Sequence, residues 1–244
     1  MPGDLAGVLL SAGLIAICFL AAFLVVRFGK RGGTVCGAAG AGAAGSGGSV
    51  GVSSAELARK IVHIGVSNWF FIYYFCFESP FWAIVGLAVF AVINFILTAT
   101  GVFSAVVGNS VAKRSWGVVY YPLSIILLIL FVKWGLGSKV DLGCALLGMG
   151  YGDGLAALIG QRFGKKKVFS GSKKTLMGSV TMLLVVALVV IGLKMCFGTA
   201  LAWWALVLCS LGIGLAACLA EAVTPLGLDN VSVPIVVFLL AGLV

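Results

Sequence analysis

The chain has 244 residues, 62% of them hydrophobic and 9% charged, with a formal net charge of +9. A soluble domain carries a charged share nearer a quarter, so the composition excludes one. The positive balance needs no nucleic-acid partner, because membrane topology accounts for where the cations fall and anionic headgroups can attract the rest.

Apolar runs of roughly the 20 residues needed to cross a bilayer recur along the whole chain. The reading is an all-α, polytopic helical membrane protein with seven spans, at 5–27, 61–78, 81–100, 116–134, 140–161, 176–197 and 200–222. A short eighth apolar helix, 231–244, closes the chain; at about 14 residues it would reach only ~21 Å. No basic segment precedes the first span, and Arg27, Lys30 and Arg31 follow it, so it reads as a retained span. Residues 37–51, GAAGAGAAGSGGSVG, read as a flexible linker. Ser53 with Glu56 three positions on reads as a capping box, which starts a helix that runs into the second span. The chain therefore divides into an N-terminal span with its linker, 1–54, and a membrane-embedded domain, 55–244.

The cations sort to one side. Arg27, Lys30, Arg31, Arg59, Lys60, Lys113, Arg114, Arg162, Lys165, Lys166, Lys167, Lys173 and Lys174 fall after the first, third and fifth spans, against Lys133, Lys139 and Lys194 on the other side. The positive-inside rule places the first group in the cytoplasm and the N-terminus outside. The expected location is a multi-pass protein of a bacterial inner membrane or, in a eukaryote, of the endoplasmic reticulum or a plastid. The cysteines form no Cys-x-x-Cys pair and lie mostly in apolar runs, as small hydrophobes do.

Ionisable groups inside spans are costly and usually functional. The candidates are His63, Asp153 and Glu221, with Asp229 and Asn230 just outside. Asp153 stands nine residues before Arg162, ~14 Å deep in a helix. With the topology above, all of them fall at the cytoplasmic level, beside the lysine-rich loop. Arg59, Lys60, His63 and Ser67 share one helix face by their i, i+3, i+4 spacing, which suits an anionic ligand or, more plainly, a basic anchor at headgroup level. Gly150-x-x-x-Gly154 and Gly160-x-x-x-Gly164 suit close helix packing; Asp153 between glycines does not. A carboxylate beside lysines at a membrane surface suits phosphate and Mg²⁺ chemistry. Lys173 and Lys174, the amides of Gly171 and Gly178, the hydroxyls of Ser172, Thr175 and Ser179, and the helix N-terminus opening there supply the cradle. Pro225, Gly227 and Pro234 break the helix around Glu221, Asp229 and Asn230, which marks protein contact or a polar cavity.

Four pieces recur in order: Arg59-Lys60-x-x-His63; Gly152-Asp153-Gly154-x-Ala156; Lys173-Lys174-Thr175-x-x-Gly178-Ser179; and Glu221 followed by Asp229-Asn230-x-x-x-Pro234. Together they resemble the dolichol kinase, phytol kinase and CTP-dependent diacylglycerol kinase family of integral membrane enzymes. The resemblance runs from about residue 55 to 240. The spacing Asp153-x-x-Ala156-x-x-x-Gly160-x-x-x-Gly164, then Lys-Lys-Thr and Gly178, resembles the CTP-binding pattern of dolichol kinase. Met177 departs from it, standing where that pattern has Glu; phytol-kinase-like members tolerate an apolar residue there.

The resemblance implies transfer of the γ-phosphoryl group of a nucleoside triphosphate, CTP foremost, to a lipid alcohol at the cytoplasmic face. Diacylglycerol, a polyprenol or dolichol, and phytol are all eligible acceptors. Asp153, His63 and Glu221 are implied as catalytic. Arg59, Lys60, Gly152, Gly154, Lys173, Lys174, Thr175, Gly178 and Ser179 are implied as nucleotide-binding. Asp153, Glu221 and Asp229 are implied as ligands of Mg²⁺, with Asn230 as support. Metal ligand and general base are not separable at this stage. A phosphatidate cytidylyltransferase is the alternative, although that family's Pro-Gly-His-Gly-Gly type loop is absent. A transporter of an anionic metabolite is disfavoured, because such sites lie near the midplane between internal repeats.

Overall fold

A computed structural model describes residues 2–32, 54–101, 116–164, 166–167, 174–225 and 227–244. Among these, regular structure is helical throughout: α1 (Pro2–Gly32), α2 (Ser54–Ser67), α3 (Trp69–Cys76), α4 (Pro80–Ala99), α5 (Gly117–Lys133), α6 (Lys139–Phe163), α7 (Leu176–Phe197), α8 (Trp203–Val223) and α9 (Asp229–Ala241). The linker 37–51 and the side chains of the Ser53–Glu56 capping box lie outside the described residues.

Among the described residues, five helices are long and apolar enough to cross a membrane: α1, α4, α6, α7 and α8. The fold is that of a multi-pass helical membrane protein. The expected spans 61–78 and 116–134 coincide with shorter elements. The first is broken at Asn68 into α2 and α3, of 14 and 8 residues, and the second is α5, of 17. At Asn68 the side chain turns back, donating from Nδ2 to the Ile64 carbonyl at 2.8 Å and accepting from the Tyr151 hydroxyl at 3.1 Å, so the break is anchored to α6. The C-terminal helix α9 has 13 residues, in keeping with a short final element.

Local sequence explains the helix starts. Ser79 caps α4, accepting from the Phe81 amide at 3.3 Å, and Pro80 takes the first helical position, where its missing N–H costs nothing. Ser138 and Asp141 form a reciprocal capping box at the start of α6. Thr175 caps α7 by accepting from the Gly178 amide at 3.2 Å.

Successive long elements alternate in direction. The N-terminus of α1 meets the end of α3, where Asp4 accepts from the amides of Glu78 and Ser79 at 3.1 Å each. At the same end, Lys139 at the start of α6 donates to the Phe77 carbonyl at 3.1 Å, and Lys194 at the end of α7 pairs with Asp141 at 2.8 Å. Trp203 and Trp204 are exposed there, as aromatic side chains at a membrane interface are. The sequence reading counted Lys194 only as a cation of the non-cytoplasmic side and passed over Asp141; the structure pairs the two, and both are buried.

The core is centred on α6, which packs against α2, α3, α5, α7 and α9. Phe70, Leu142, Leu146, Met149, Met182, Val186 and Phe238 are fully buried around it. The outer faces of α4 and α7 expose Phe81, Val89, Val92, Phe95, Leu184 and Leu188, the surface a helix presents to lipid. The other end of the bundle gathers the starts of α2, α5, α7 and α9 and the ends of α1, α4, α6 and α8.

Candidate active site

Lys60, on the second turn of α2, reaches across to α6 and places Nζ 2.6 Å from Asp153 Oδ2. Its side chain is 3% exposed and that of Asp153 is 18% exposed. An isolated buried charge is expensive, so each group is tenable because the other compensates it. One helical turn further along α2, His63 lies against Tyr121 of α5, ring centroids 4.5 Å apart and planes tilted by 34°. The Tyr121 hydroxyl donates to the Leu146 carbonyl at 3.3 Å. His63 Nε2 is buried and has no hydrogen-bond partner among the described residues.

A second charged cluster joins three helix ends. Lys174, just before α7, sets Nζ 3.0 Å from Glu221 Oε1 at the end of α8 and 3.7 Å from Asp229 Oδ2 at the start of α9. It also donates to the backbone carbonyl of Glu221. Asp229 lies in the first turn of α9, where the helix dipole favours a carboxylate, and its Oδ1 accepts from the Asn230 amide at 3.1 Å. Asn230 Nδ2 donates to the Gly227 carbonyl at 3.1 Å, while its Oδ1 is buried without a partner among the described residues. Asn230, which lines the same cavity as Asp153, directly follows Asp229 and bonds to its carboxylate, so the two clusters adjoin.

A cavity opens beside the first cluster. It holds about 820 Å³ of empty space, counting its open mouth. Arg59, Lys60, His63, Tyr121, Asp153, Asn94 and Asn230 supply its polar wall, and Phe19, Ala22, Val62, Val66, Phe90 and Val118 an apolar one. Two prolines sharpen its polarity. Pro122 has no N–H to give the carbonyl of Val118, and Pro234 none for that of Asn230; both carbonyls belong to cavity residues.

The glycines of the motifs lie elsewhere, in the seams of α6. A Cβ on Gly154 would stand 2.6 Å from Ile64 Cγ1 of α2, and one on Gly152 would stand 3.3 Å from Met182 Sδ of α7. A Cβ on Gly178 would stand 2.9 Å from the Ala156 carbonyl oxygen, and one on Gly160 would stand 2.6 Å from Thr175 Oγ1. The repeat Ala156, Gly160, Gly164 is thus the α6 face on which the start of α7 rests. The α7 amides of Leu176 and Gly178 are already used, by the Lys166 carbonyl at 2.9 Å and by Thr175 Oγ1. Ser179 is buried on the same helix. Lys173, Gly171 and Ser172 lie outside the described residues.

The structure brings Arg59, Lys60, His63, Asp153 and Asn230 to one cavity, and Lys174, Glu221 and Asp229 to an adjoining cluster. Sequence reasoning missed Asn94, Tyr121 and the contribution of α1. Asn94 had a signal: with Thr98 it is one of two polar residues in the α4 run PFWAIVGLAVFAVINFILTA. Nothing in α1 marked Phe19 and Ala22, because an apolar residue facing a cavity reads like one facing lipid.

No family model matches the chain. No solved structure matches it either. Among curated proteins, the phytol kinase of Synechocystis sp. is 36% identical over 192 residues, which cover 75% of this chain and 77% of that protein. A multi-pass helical bundle whose charged groups border an apolar cavity, joined to that likeness, defines a membrane lipid kinase. The chain belongs to the phytol kinase family.

Proposed function

We propose that the protein transfers the γ-phosphoryl group of CTP, or of another nucleoside triphosphate, to the hydroxyl of a membrane lipid alcohol at the cytoplasmic face. An isoprenoid alcohol of the phytol type is the acceptor favoured by the relative's name; polyprenols and diacylglycerol are the other acceptors of this chemistry. The observation that carries the reading is one cavity lined both by cations and a carboxylate and by apolar side chains. The charged groups suit a polyphosphate and a reacting centre, the apolar ones a lipid tail.

Phosphoryl transfer asks mainly for positioning and charge stabilisation. In this reading Arg59, Lys60 and Lys174 hold phosphate oxygens, and Lys173, next to Lys174 in the sequence, is a further candidate. The acceptor oxygen attacks the γ-phosphorus, the bond to the bridging β,γ oxygen breaks, and CDP leaves. The hydroxyl proton passes to Asp153 or His63, the two proton-accepting side chains of the cavity wall. Glu221 and Asp229 hold Lys174 in place, and Asn230 fixes the turn that presents Asp229.

Magnesium fits this donor set in part. Among the described residues no three His, Cys, Asp or Glu side chains converge as a metal cage. Mg²⁺ in such enzymes takes one or two carboxylates and completes its shell with substrate phosphates. Glu221 and Asp229, both within reach of one ammonium, are such a pair, and Asp153 is the third candidate ligand. Bound there, Mg²⁺ would supply neutralisation of charge on the phosphates.

The test uses the purified full chain in detergent, with CTP labelled at the α or the γ position and a panel of phytol, a polyprenol, diacylglycerol and phosphatidate. Label entering the lipid from γ-labelled CTP, with release of CDP, is the expected result. Pyrophosphate release, with label entering a lipid phosphate only from α-labelled CTP, would replace it with cytidylyl transfer.

A further inference from the structure

The apolar helix α4 carries one amide side chain into the cavity. Asn94 is 3% exposed, lines the cavity, and has no hydrogen bond to any described residue. Its amide is not sealed in the core but opens to the cavity, so its donors and acceptor are left for whatever enters. Of the other polar lining residues, Lys60 pairs with Asp153, Tyr121 donates to the Leu146 carbonyl and Asn230 donates to the Gly227 carbonyl, while His63 Nε2 and Asn230 Oδ1 have no partner among the described residues; Asn94 differs from all of these in standing on α4. One helical turn from Asn94, on the same face of α4, stands Phe90, which meets Phe19 of α1 edge to face at 6.5 Å. Asn94 therefore sits at the head of an apolar strip made by Phe90, Phe19 and Ala22.

We propose that Asn94 binds the hydroxyl of the lipid acceptor, with the α1–α4 strip taking the chain behind it. The inference rests on the lipid kinase reading above and adds the residue that recognises the alcohol. An amide suits the task because it both donates and accepts, as a neutral hydroxyl does. Arg59 and Lys60, which line the cavity from α2, suit phosphate. The Val118 carbonyl, left by Pro122 without its helical donor, lies on the neighbouring helix as a second acceptor.

The experiment compares wild type with Asn94→Leu and Asn94→Ser in the full-length detergent-solubilised protein. It measures KM for a C20 isoprenoid alcohol, KM for the nucleotide, inhibition by the C20 hydrocarbon that lacks the hydroxyl, and the thermal midpoint. Asn94→Leu should raise the alcohol KM about fivefold to tenfold, the cost of one lost hydrogen bond to substrate. It should leave the nucleotide KM unchanged, leave inhibition by the hydrocarbon as strong or stronger, and hold or raise the thermal midpoint. Asn94→Ser, which keeps a hydroxyl, should recover part of the alcohol KM. An Asn94→Leu protein with the wild-type alcohol KM would overturn the assignment, as would a lowered midpoint with both KM values rising together, the mark of a structural role. Wild type that phosphorylates none of phytol, a polyprenol and diacylglycerol would overturn the lipid kinase reading itself, and this inference with it.

Discussion

Lys60 Nζ and Asp153 Oδ2 stand 2.6 Å apart although 93 positions separate them in the chain. Their contact ties α2 to α6 at the cavity wall, and it makes the two motifs that carry these residues parts of one site. It also decides how each responds to substitution, because neither charge is tolerable in this setting alone.

Asp153→Asn is expected to lower turnover roughly a hundredfold or more, the scale of a lost proton acceptor or metal ligand. Considered alone, removing a carboxylate from a membrane helix would relax the fold. The pairing reverses that sign: Lys60 loses its partner, and stability should fall by about 3–5 kcal/mol. The double variant Lys60→Met/Asp153→Leu should recover most of that stability and remain inactive. Thermal midpoints and single-turnover rates on the same preparations check both halves. An active Asp153→Asn protein would make the pair a structural tie only.

Lys174→Met should raise the nucleotide KM about tenfold or more, the range of a lost charge-assisted hydrogen bond, and leave the alcohol KM unchanged. Lys174 is held by Glu221 and Asp229 at the meeting of three helix ends, apart from the apolar cavity wall. Steady-state kinetics with each substrate varied in turn separates the two effects. An alcohol KM that rises instead would move the nucleotide away from this cluster.

Gly178→Ala should destabilise the protein by about 1–3 kcal/mol, the usual range for overpacking, because the added Cβ meets a backbone carbonyl, that of Ala156, at 2.9 Å. Gly212→Ala is the control: nothing stands within 4 Å of its Cβ, and within a helix it should gain up to about 1 kcal/mol. Denaturation in mixed micelles reads both. Equal behaviour of the two would mean that the seam between α6 and α7 is looser than the structure has it.

Lys194→Met should destabilise by about 3–5 kcal/mol, because Asp141 would be left buried and unpaired. Both KM values should stay unchanged, since the pair lies at the end of the bundle away from the cavity. Thermal unfolding together with kinetics tests this, and a shift in either KM would link the two ends of the bundle.

The orientation is checked by labelling in a cysteine-free background. Ser46→Cys should resist an impermeant thiol reagent in sealed cells and react in inverted vesicles. Ala200→Cys, exposed in the turn between α7 and α8, should do the reverse. Labelling of Ser46→Cys from outside would invert the topology and with it the side from which nucleotide arrives.

The helical class, the limits of the long spans and most of the charged site residues are legible in the chain alone. These are local properties. An apolar run of sufficient length must pair its backbone internally as a helix in lipid, and Ser79, Ser138 and Thr175 mark helix starts through bonds made within a few residues. A charge inside such a run is conspicuous, so Asp153, His63 and Glu221 stand out in the chain. The break at Asn68 was not legible in this way, because the run around it stays apolar and the bond that anchors it comes from Tyr151 on another helix.

Which charges meet is a matter of tertiary packing. Lys60 and Lys174 look alike among the sixteen cations, yet one faces Asp153 and the other Glu221 and Asp229, because helix rotation and crossing place them there. The same holds for Asn94, whose amide faces a cavity rather than lipid, and for the glycines of the nucleotide-like motif, whose neighbours across the α6 seams are Ile64, Met182 and Thr175. A missing side chain has the same letter whether a phosphate or a helix comes close. What approaches it is set by packing between segments far apart in the chain.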